Sequence, residues 1–419
     1  PPPPRHSTNM TISKNVATIS LIVSKQVLLS DPSASASLQP QWNRMIPTPH
    51  DSTIVALSRL ISLETDPVKR AEYRLLAARS LRQLGQFAAV RQALDAAFKE
   101  APDHPNTLRA LGLEMFRAGA IAEGLTLYDK GRWQLASHSQ YRRPFTAPMW
   151  QGTPLKGRRL LVWAEQGIGD QIMQARVLPK LLALGANITL EADPRLFPLL
   201  GPLRAQITCA PQTVTPDASI ATQTFDLQSS LLSAWRFVAD PLEGGACLTA
   251  DAAKSAQYLS AWGGMGRARN IGLAWHSAAT VTGAARSITP DLLHPLTVHP
   301  GLRFHSLQYG THDLVGFGQA FGAPVLSDPS VDPLKSLEAH PAQIAALDLV
   351  ITIDNATAHL AGALGVPTWV LLPKGSEWRW GSHPTKTVLY PHTRIFRASD
   401  LGQWGGALWK LFDAFARWV

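Results

Sequence analysis

From residue 159 to residue 372, short apolar segments alternate with helical segments, and this alternation restricts the fold more than any other feature. Alternating strands and helices favour parallel sheets covered by helices on both faces. The pattern pauses at Leu248–Arg269 and then begins again, so it predicts two Rossmann-like domains, at residues 155–250 and 270–419. The predicted strands are Arg159–Ala164, Asn187–Glu191, Phe225–Leu227, Asn270–Trp275, Arg303–Leu307, Leu347–Ile353 and Thr368–Leu372.

Helical patterns fill the intervals between these strands. The predicted helices are Asp170–Leu184, Arg195–Leu200 and Thr357–Leu364. Near the end of the chain, Trp404 and Leu408 begin a series of apolar residues at three- and four-residue spacing. Such spacing places one apolar stripe on a helix, so an amphipathic closing helix is expected.

Residues 49–140 have helical periodicity and an internal repeat. Leu75, Ala78, Leu81 and Leu84 recur at helical spacing before Gly85, and a similar segment ends at Gly119, 34 positions later. A repeat of 34 residues with a helix–turn–helix pattern resembles the tetratricopeptide repeat. The glycines would form the turns, and small residues at Ala78 and Gly112 would let paired helices approach closely. An ordinary helical bundle with coincidental spacing is the alternative.

The first 48 residues begin with four prolines and remain rich in Ser, Pro and Thr. We predict that this segment is disordered, with Met10 and Met45 as candidate translation starts. Its apolar run Val16–Val23 has no small-residue cleavage pattern after it, so no signal peptide is expected.

Composition narrows the class of partner. Two cysteines, Cys209 and Cys247, argue against a disulfide framework and a cysteine zinc site, which fits a cytoplasmic protein. The net charge of +9 favours anionic partners, but no dense Lys/Arg block points to nucleic acid. No apolar run of about 18 residues predicts a membrane span, which leaves peripheral association with the inner membrane open.

A glycine-containing turn joins the first predicted strand to the first helix. Gln166, Gly167 and Gly169 precede Asp170 there, and glycines allow the backbone to approach a ligand closely. The third glycine of a dinucleotide fingerprint is replaced by Ile172, which disfavours a NAD-dependent oxidoreductase. Asp170 is either a helix N-cap or a functional carboxylate at the sheet edge.

The second motif follows the strand that ends at Ile353. Asp354, Asn355 and Ala356 come next, and the first helical turn carries His359. Backbone amides, a helix dipole and an imidazole would converge there, as a diphosphate site requires. A half-buried helix histidine is the alternative for His359.

The third motif begins at the end of the strand that opens the second domain. Trp275 and Ser277 lie at this strand end, and a short loop leads to Arg286 and Ser287. A loop arginine near a strand end can bind phosphate with two hydrogen bonds. An exposed arginine is the alternative.

Several of these motifs together resemble a known family. The resemblance rests on the ordered segments AEQGIGDQIMQARVLPKL, IGLAW, RSI, LDLVITIDNATAHLAGALGVPTWVLLP and EWRW. They are similar to bacterial tetratricopeptide proteins with a C-terminal domain like that of the ADP-heptose:lipopolysaccharide heptosyltransferases, glycosyltransferase family 9. The resemblance covers about residues 70–419. It implies an α/β protein of GT-B type, with an acceptor domain, a facing nucleotide-sugar domain and a site in the cleft between them.

The resemblance also implies roles for individual residues. Asp170 would be the general base, and Arg286 would face the donor phosphates. Asp354, Asn355, Ala356 and His359 match the motif that contacts the diphosphate, with Asn355 and Ala356 in place of the usual Thr and Gly. Gln308 stands near the position of an acidic ribose ligand, and Arg286 stands where lysine is common. The other substrate-binding candidates are Gln166, Gly167, Gly169, Trp275, Ser277 and Ser287.

The expected chemistry is inverting sugar transfer. A base that takes the acceptor proton contributes about 10²–10⁴-fold, and positive groups, including His359, would stabilise the leaving diphosphate. The chain has no Asp-x-Asp sequence, so metal-independent transfer without a cofactor is expected.

The expected function is therefore glycosyl transfer from a nucleotide-sugar to a glycan or protein acceptor. Lipopolysaccharide core and a protein such as flagellin both remain open as acceptors, and the repeats would bind a protein partner. The alternative is a non-catalytic scaffold with a degenerate transferase domain, which the residues at 308, 355 and 356 favour. Nucleotide binding discriminates between the two.

Overall fold

A computed structural model describes residues 49–240, 246–263, 268–280, 282–376, 378–399 and 403–419. The chain divides into two compact units. The first contains residues 49–111 and Lys130–Arg132, and the second contains Gly112–Asp129 and Trp133–Val419. The segment 1–48, predicted to be disordered, lies outside the described residues. No helix within the described ranges is long and apolar enough to cross a membrane.

The N-terminal region is helical. Its helices are α1 (Pro49–Leu63), α2 (Pro67–Gln83), α3 (Phe87–Glu100), α4 (Pro105–Arg117) and α5 (Ile121–Arg132). Gly85 lies between α2 and α3 with a φ of 67°, and Gly119 lies between α4 and α5 with a φ of 93°. These left-handed conformations favour glycine, so the predicted turn positions are confirmed. Ala71, Ala97 and Ala101 form a small buried cluster between α2 and the end of α3.

Helices α4 and α5 come into direct backbone contact at Gly112. A Cβ atom at this position would lie 2.4 Å from the Gly124 carbonyl oxygen and 2.6 Å from the Tyr128 amide nitrogen. Real Cβ atoms do not approach backbone atoms this closely. The predicted close approach at Gly112 is therefore confirmed.

We expect Gly112→Ala to lower the free energy of unfolding by about 1–3 kcal/mol, because the backbone atoms around the new methyl group have no room to move. Urea denaturation measures this loss. Gly405→Ala is the matched control, since a Cβ there meets nothing within 4 Å at the start of the closing helix. Equal stabilities of the two variants would contradict the close contact.

The first sheet is parallel and has the order β3-β2-β1-β4 in the described residues. Its strands are β1 (Arg159–Trp163), β2 (Asn187–Ala192), β3 (Thr208–Pro211) and β4 (Leu227–Ser230). The α-helices around it are α6 (Ile168–Gln174), α7 (Leu178–Ala183), α8 (Ala218–Ala221) and α9 (Leu231–Ala234), and 3₁₀ helices span Ala136–Tyr141, Ala175–Val177, Pro194–Ala205 and Trp235–Phe237. Leu160 pairs with Ile188 on one side and Leu227 on the other, so β1 is central.

The second sheet is also parallel, with the order β10-β9-β8-β5-β6-β7. Its strands are β5 (Arg269–Ala274), β6 (Leu302–Ser306), β7 (Val325–Leu326), β8 (Leu349–Ile353), β9 (Thr368–Leu372) and β10 (Thr393–Arg397). The helices are α10 (Ala252–Ala261), α11 (Gly283–Arg286), α12 (Leu314–Phe321), α13 (Ala339–Ala345), α14 (Ala356–Ala363) and α15 (Gly405–Trp418), with 3₁₀ helices at Pro290–Val298 and Trp378–Trp380. Counted from β5, this is the Rossmann order 3-2-1-4-5-6.

Two parallel sheets behind an N-terminal helical region confirm the predicted α/β class, and two such sheets are what the expected GT-B type requires. Strands β8 and β9 are buried along their whole length, as parallel strands covered on both faces should be. In β8, Val350 faces the core shared with the first sheet, whereas Leu349 and Ile351 face the core under helix α15. Successive side chains of β8 therefore pack into the two cores on opposite faces of the sheet.

Several predicted elements differ from those observed. The helix predicted at Asp170–Leu184 begins at Ile168 and is interrupted by the 3₁₀ turn Ala175–Val177. Pro179 explains the interruption, because it has no amide hydrogen for the Ala175 carbonyl. The segment Arg195–Leu200 belongs to a longer 3₁₀ helix, and the strand predicted at Phe225–Leu227 begins only at its last residue. The edge strands β3, β7 and β10 were not predicted.

Candidate active site

The order of the second sheet places its ligand-binding edge between β5 and β8. The strand order reverses between these parallel neighbours, and the crevice at the carboxyl ends of such strands is where open α/β sheets bind ligands. Trp275 follows β5, and Asp354 follows β8. The second and third predicted motifs therefore lie on the two sides of the switch point.

Asn355 is the N-cap of helix α14, which begins at Ala356 rather than at Thr357 as predicted. Its Oδ1 accepts hydrogen bonds from the Ala358 amide at 3.1 Å and from the Thr352 hydroxyl at 3.2 Å. Asn355 is only 7% exposed. Its Nδ2 is buried and makes no hydrogen bond with the described residues. A buried amide without a partner is costly, and an anion bound at the helix N-terminus would satisfy this donor.

Asp354 links three elements at the same edge. Its Oδ1 accepts a hydrogen bond from Trp380 Nε1 at 2.7 Å, and its Oδ2 lies 3.4 Å from Arg286 Nη1. The residue is 3% exposed, so this carboxylate is buried between an indole and a guanidinium. Asp354 thereby holds Arg286, at the end of α11, beside the N-terminus of α14.

Asp170 lies in the first turn of α6, but it is not the N-cap, which is Gly167. The capping interpretation of Asp170 is therefore wrong. Its Oδ1 accepts a hydrogen bond from Arg379 Nε at 2.6 Å, and Arg379 Nη2 donates a hydrogen bond to Gln166 Oε1 at 3.1 Å. The Asp170 and Arg379 side chains are 18% and 16% exposed, so solvent still reaches the pair.

The two glycines before Asp170 have different surroundings. A Cβ at Gly169 would lie 3.2 Å from Ala356 Cα and 3.5 Å from His359 Cδ2, so α6 and α14 nearly touch there. A Cβ at Gly167 would meet only Asp170 Oδ2, at 4.0 Å. The structure thus brings the first and second motifs together through Gly169 and leaves space beside Gly167.

His359 is buried in an aromatic environment. Its ring stacks on Trp380 with centroids 4.8 Å apart and planes at 18°, and its Nδ1 lies 3.1 Å from the Tyr390 hydroxyl. Burial lowers the pKa of His359 to about 3, and the nearby charges of Asp170, Arg379 and Arg286 act on the ring in opposing directions. A pKa this low favours a neutral ring at pH 7, so the surroundings of His359 do not support the expected positive charge.

The remaining predicted residues organise the loop after β5. Gln308 Oε1 accepts hydrogen bonds from the amides of Trp275 and His276 at 3.0 and 2.9 Å, so the Gln308 side chain braces this strand end. Ser287 Oγ accepts from the Ser277 amide at 3.0 Å. The ring of Trp275 packs against a phenylalanine of α12 in the core. These contacts fix the start and end of the loop that carries Arg286.

Arg379 and Tyr390 are site residues that the sequence reasoning missed. Arg379 lies in the EWRW segment, which was used only as part of the family resemblance. An arginine between two tryptophans soon after a buried strand was the available indication, but its partner Asp170 is 209 positions away. Among the described residues, no group of three or more His, Cys, Asp or Glu side chains is arranged to hold a metal ion.

Buried histidines make the stability of the fold dependent on pH. Burial lowers the pKa of His305 and His340 to about 4 and that of His359 to about 3. Unfolded histidine has a pKa of about 6.5, so the unfolded chain binds protons first as the pH falls. The free energy of unfolding is not reduced by these histidines above pH 6.5. Between about pH 6 and 4 we expect it to fall by about 1.4 kcal/mol per pH unit for each of them.

Urea unfolding at pH 7.5, 6.0 and 5.0 measures this dependence. His340→Asn should reduce the loss of unfolding free energy at acid pH by the contribution of one histidine. His392→Asn, at an exposed position, should leave the pH dependence unchanged. An identical pH slope for His340→Asn and the wild type would show that folding does not lower the pKa of His340.

Comparisons with known proteins give the following similarities. No protein-family model matches the chain. Protein FlbA of Caulobacter vibrioides is 28% identical over 355 residues, which are 79% of this chain and 59% of FlbA. The chain therefore spans less than two thirds of the length of this curated relative.

Solved structures with similar folds are more distant in sequence. A glycosyl transferase family 9 protein from Veillonella parvula is 15% identical, with a TM-score of 0.45, and the match covers 59% of this chain and 88% of that one. The ADP-heptose lipopolysaccharide heptosyltransferase II of E. coli is 13% identical, with a TM-score of 0.42 and coverage of 62% and 99%. A mutant O-GlcNAc transferase from Thermobaculum terrenum is 13% identical, with a TM-score of 0.30 and coverage of 88% and 89%.

Proposed function

We propose that this chain is a glycosyltransferase that moves a sugar from a nucleotide-sugar to a hydroxyl of a glycan or protein acceptor. The observation that carries the proposal is the buried, unpartnered Nδ2 of Asn355 at the N-terminus of α14. This donor lies at the switch point of a Rossmann-order sheet. A diphosphate bound there would accept a hydrogen bond from the amide and be stabilised by the helix dipole. Arg286 adds a guanidinium beside the same strand end.

In the proposed reaction, Asp170 is the general base. The acceptor oxygen would form a bond with the anomeric carbon, and the bond from that carbon to the diphosphate oxygen would break. The acceptor proton would pass to the Asp170 carboxylate, and the electron pair of the broken bond would leave with the diphosphate. Arg286, Arg379 and the Asn355 amide would stabilise the charge that develops on the leaving group.

The N-terminal helices are proposed to be tetratricopeptide-like repeats that bind a protein acceptor or a partner. The 34-residue spacing of Gly85 and Gly119, each in a left-handed turn between two helices, supports this proposal. Lipopolysaccharide core is the other proposed acceptor class.

Calorimetric titration with ADP, UDP, GDP and CMP tests the proposed function. We expect one nucleotide to bind, and Asn355→Asp to weaken that binding at least 10-fold, because a carboxylate keeps the helix cap but repels the diphosphate. Asp66→Asn is the control, since it changes the N-cap of α2 instead. Equal binding by Asn355→Asp and the wild type would contradict the assigned site.

A non-catalytic scaffold is the second candidate function. It is favoured by the ion pairs that engage both site carboxylates, Asp170 with Arg379 and Asp354 with Arg286. A protein that binds none of the four nucleotides would support the scaffold and contradict the transferase.

A further inference from the structure

Arg379 projects from a backbone that is anchored on both sides. The ring of Trp378 packs edge-on against Phe116, with centroids 4.5 Å apart, and Trp380 is fully buried with its indole hydrogen-bonded to Asp354. The position of the Arg379 Cα is therefore set by two tryptophans. Its side chain, which is 16% exposed and lies over the Trp378 ring, is long enough to reach another partner without a shift of the backbone.

Each of the two site carboxylates lies beside an arginine. Asp170, in the first turn of α6, pairs with Arg379, and Asp354, after β8, pairs with Arg286. A nucleoside diphosphate would bring further negative charge to these two pairs. Its phosphates compete with the carboxylates for the two guanidiniums, and guanidinium binds phosphate and carboxylate with the same paired hydrogen bonds.

The two pairs are not equivalent in this competition. Asp354 is 3% exposed and also accepts the Trp380 hydrogen bond, so losing Arg286 would leave a buried charge. Asp170 is more exposed, at 18%, and water can solvate it if Arg379 leaves. Arg379 is consequently the arginine that can change partner at lower cost.

We propose that Arg379 couples the donor site to the base, pairing with Asp170 in the donor-free protein and moving to the diphosphate when the nucleotide-sugar binds. The inference rests on the proposed function and deepens it. While Arg379 donates to Asp170 Oδ1, its guanidinium occupies the place beside the carboxylate that an acceptor hydroxyl would take. The base becomes competent only after the donor is in place, which protects the empty site from unproductive proton transfer.

A double-mutant cycle on nucleotide affinity tests the coupling without any knowledge of the acceptor. Calorimetry with ADP, UDP and GDP is carried out on the wild type, Asp170→Asn, Arg379→Gln and the double variant. Asp170→Asn removes the competitor for Arg379, so we expect the bound nucleoside diphosphate to bind about 5- to 150-fold tighter. Arg379→Gln should weaken binding, and adding Asp170→Asn to it should no longer increase affinity.

Matched variants separate coupling from loss of fold or change of net charge. Asp413→Asn alters an exposed Asp–Arg pair on α15 and should leave the affinity unchanged. Arg379→Lys keeps the positive charge and should retain part of the coupling, while urea unfolding reports whether each variant is folded.

The outcomes distinguish the inference from the proposed function. Two results overturn the coupling but leave the proposed function standing. In the first, the wild type binds a nucleotide and Asp170→Asn does not increase the affinity. In the second, Asp170→Asn increases the affinity by the same factor whether residue 379 is arginine or glutamine. Absence of binding in the wild type and in all variants overturns both the proposed function and the coupling.

Discussion

Replacing Asp170 with asparagine is expected to slow sugar transfer by about 10²–10⁴-fold, the usual contribution of a general base. Asparagine is nearly the same size as aspartate but cannot take the acceptor proton. Nucleoside diphosphate binding should persist in this variant, so a fall in kcat without a weaker nucleotide affinity is the expected pattern. The measurement is nucleoside diphosphate release from the nucleotide-sugar whose nucleotide binds in the titration.

The control for this experiment is Asp413→Asn, which removes one carboxylate from an exposed ion pair on α15. Turnover by this variant should equal that of the wild type. If Asp170→Asn also transfers sugar at the wild-type rate, another group takes the proton and Asp170 is not the general base.

Replacing Trp380 with alanine is expected to lower the free energy of unfolding by about 3–5 kcal/mol, the typical cost of removing a large buried aromatic ring. Trp380 is fully buried, stacks on His359 and donates the 2.7 Å hydrogen bond to Asp354. Its loss leaves a cavity and removes a donor from a buried carboxylate, and both effects are destabilising. Urea denaturation measures the change.

Two further variants divide this effect into its parts. Trp380→Phe keeps most of the ring but removes the indole donor, so its cost should be about 1–3 kcal/mol. Trp409→Ala removes an exposed tryptophan of α15 and should change stability by no more than about 0.5 kcal/mol. Similar losses for Trp380→Ala and Trp409→Ala would contradict the buried position of Trp380.

The fold class could be predicted because buried parallel strands have a clear sequence pattern. Strands β8 and β9 are almost entirely apolar, and glycine follows the helix between them. Strand β10 carries arginines at two of its five positions and lies at the sheet edge, so its periodicity is weak. Strand order could not be read from the sequence, because it depends on which strands pair after the chain folds.

The candidate site could be predicted in part. Asp354 and Asn355 were found because a strand end and a helix start are both local features. Arg379 was missed because its significance arises only when two sheets bring positions 170 and 379 together. The neutral state of His359 was missed for a related reason, since the burial that lowers its pKa comes from Trp380 and Tyr390.

The order of strands within each sheet has a consequence for synthesis on the ribosome. Each sheet begins with a central strand, β1 or β5, and later strands add outward on both sides. All backbone pairing of the first sheet is complete by Ser230, before any strand of the second sheet is translated. Domains generally fold as units during translation. The nascent chain thus leaves Gly169 and its helix uncovered until Ala356 is synthesised, so the surface beside Asp170 is completed only when most of the second sheet has been made.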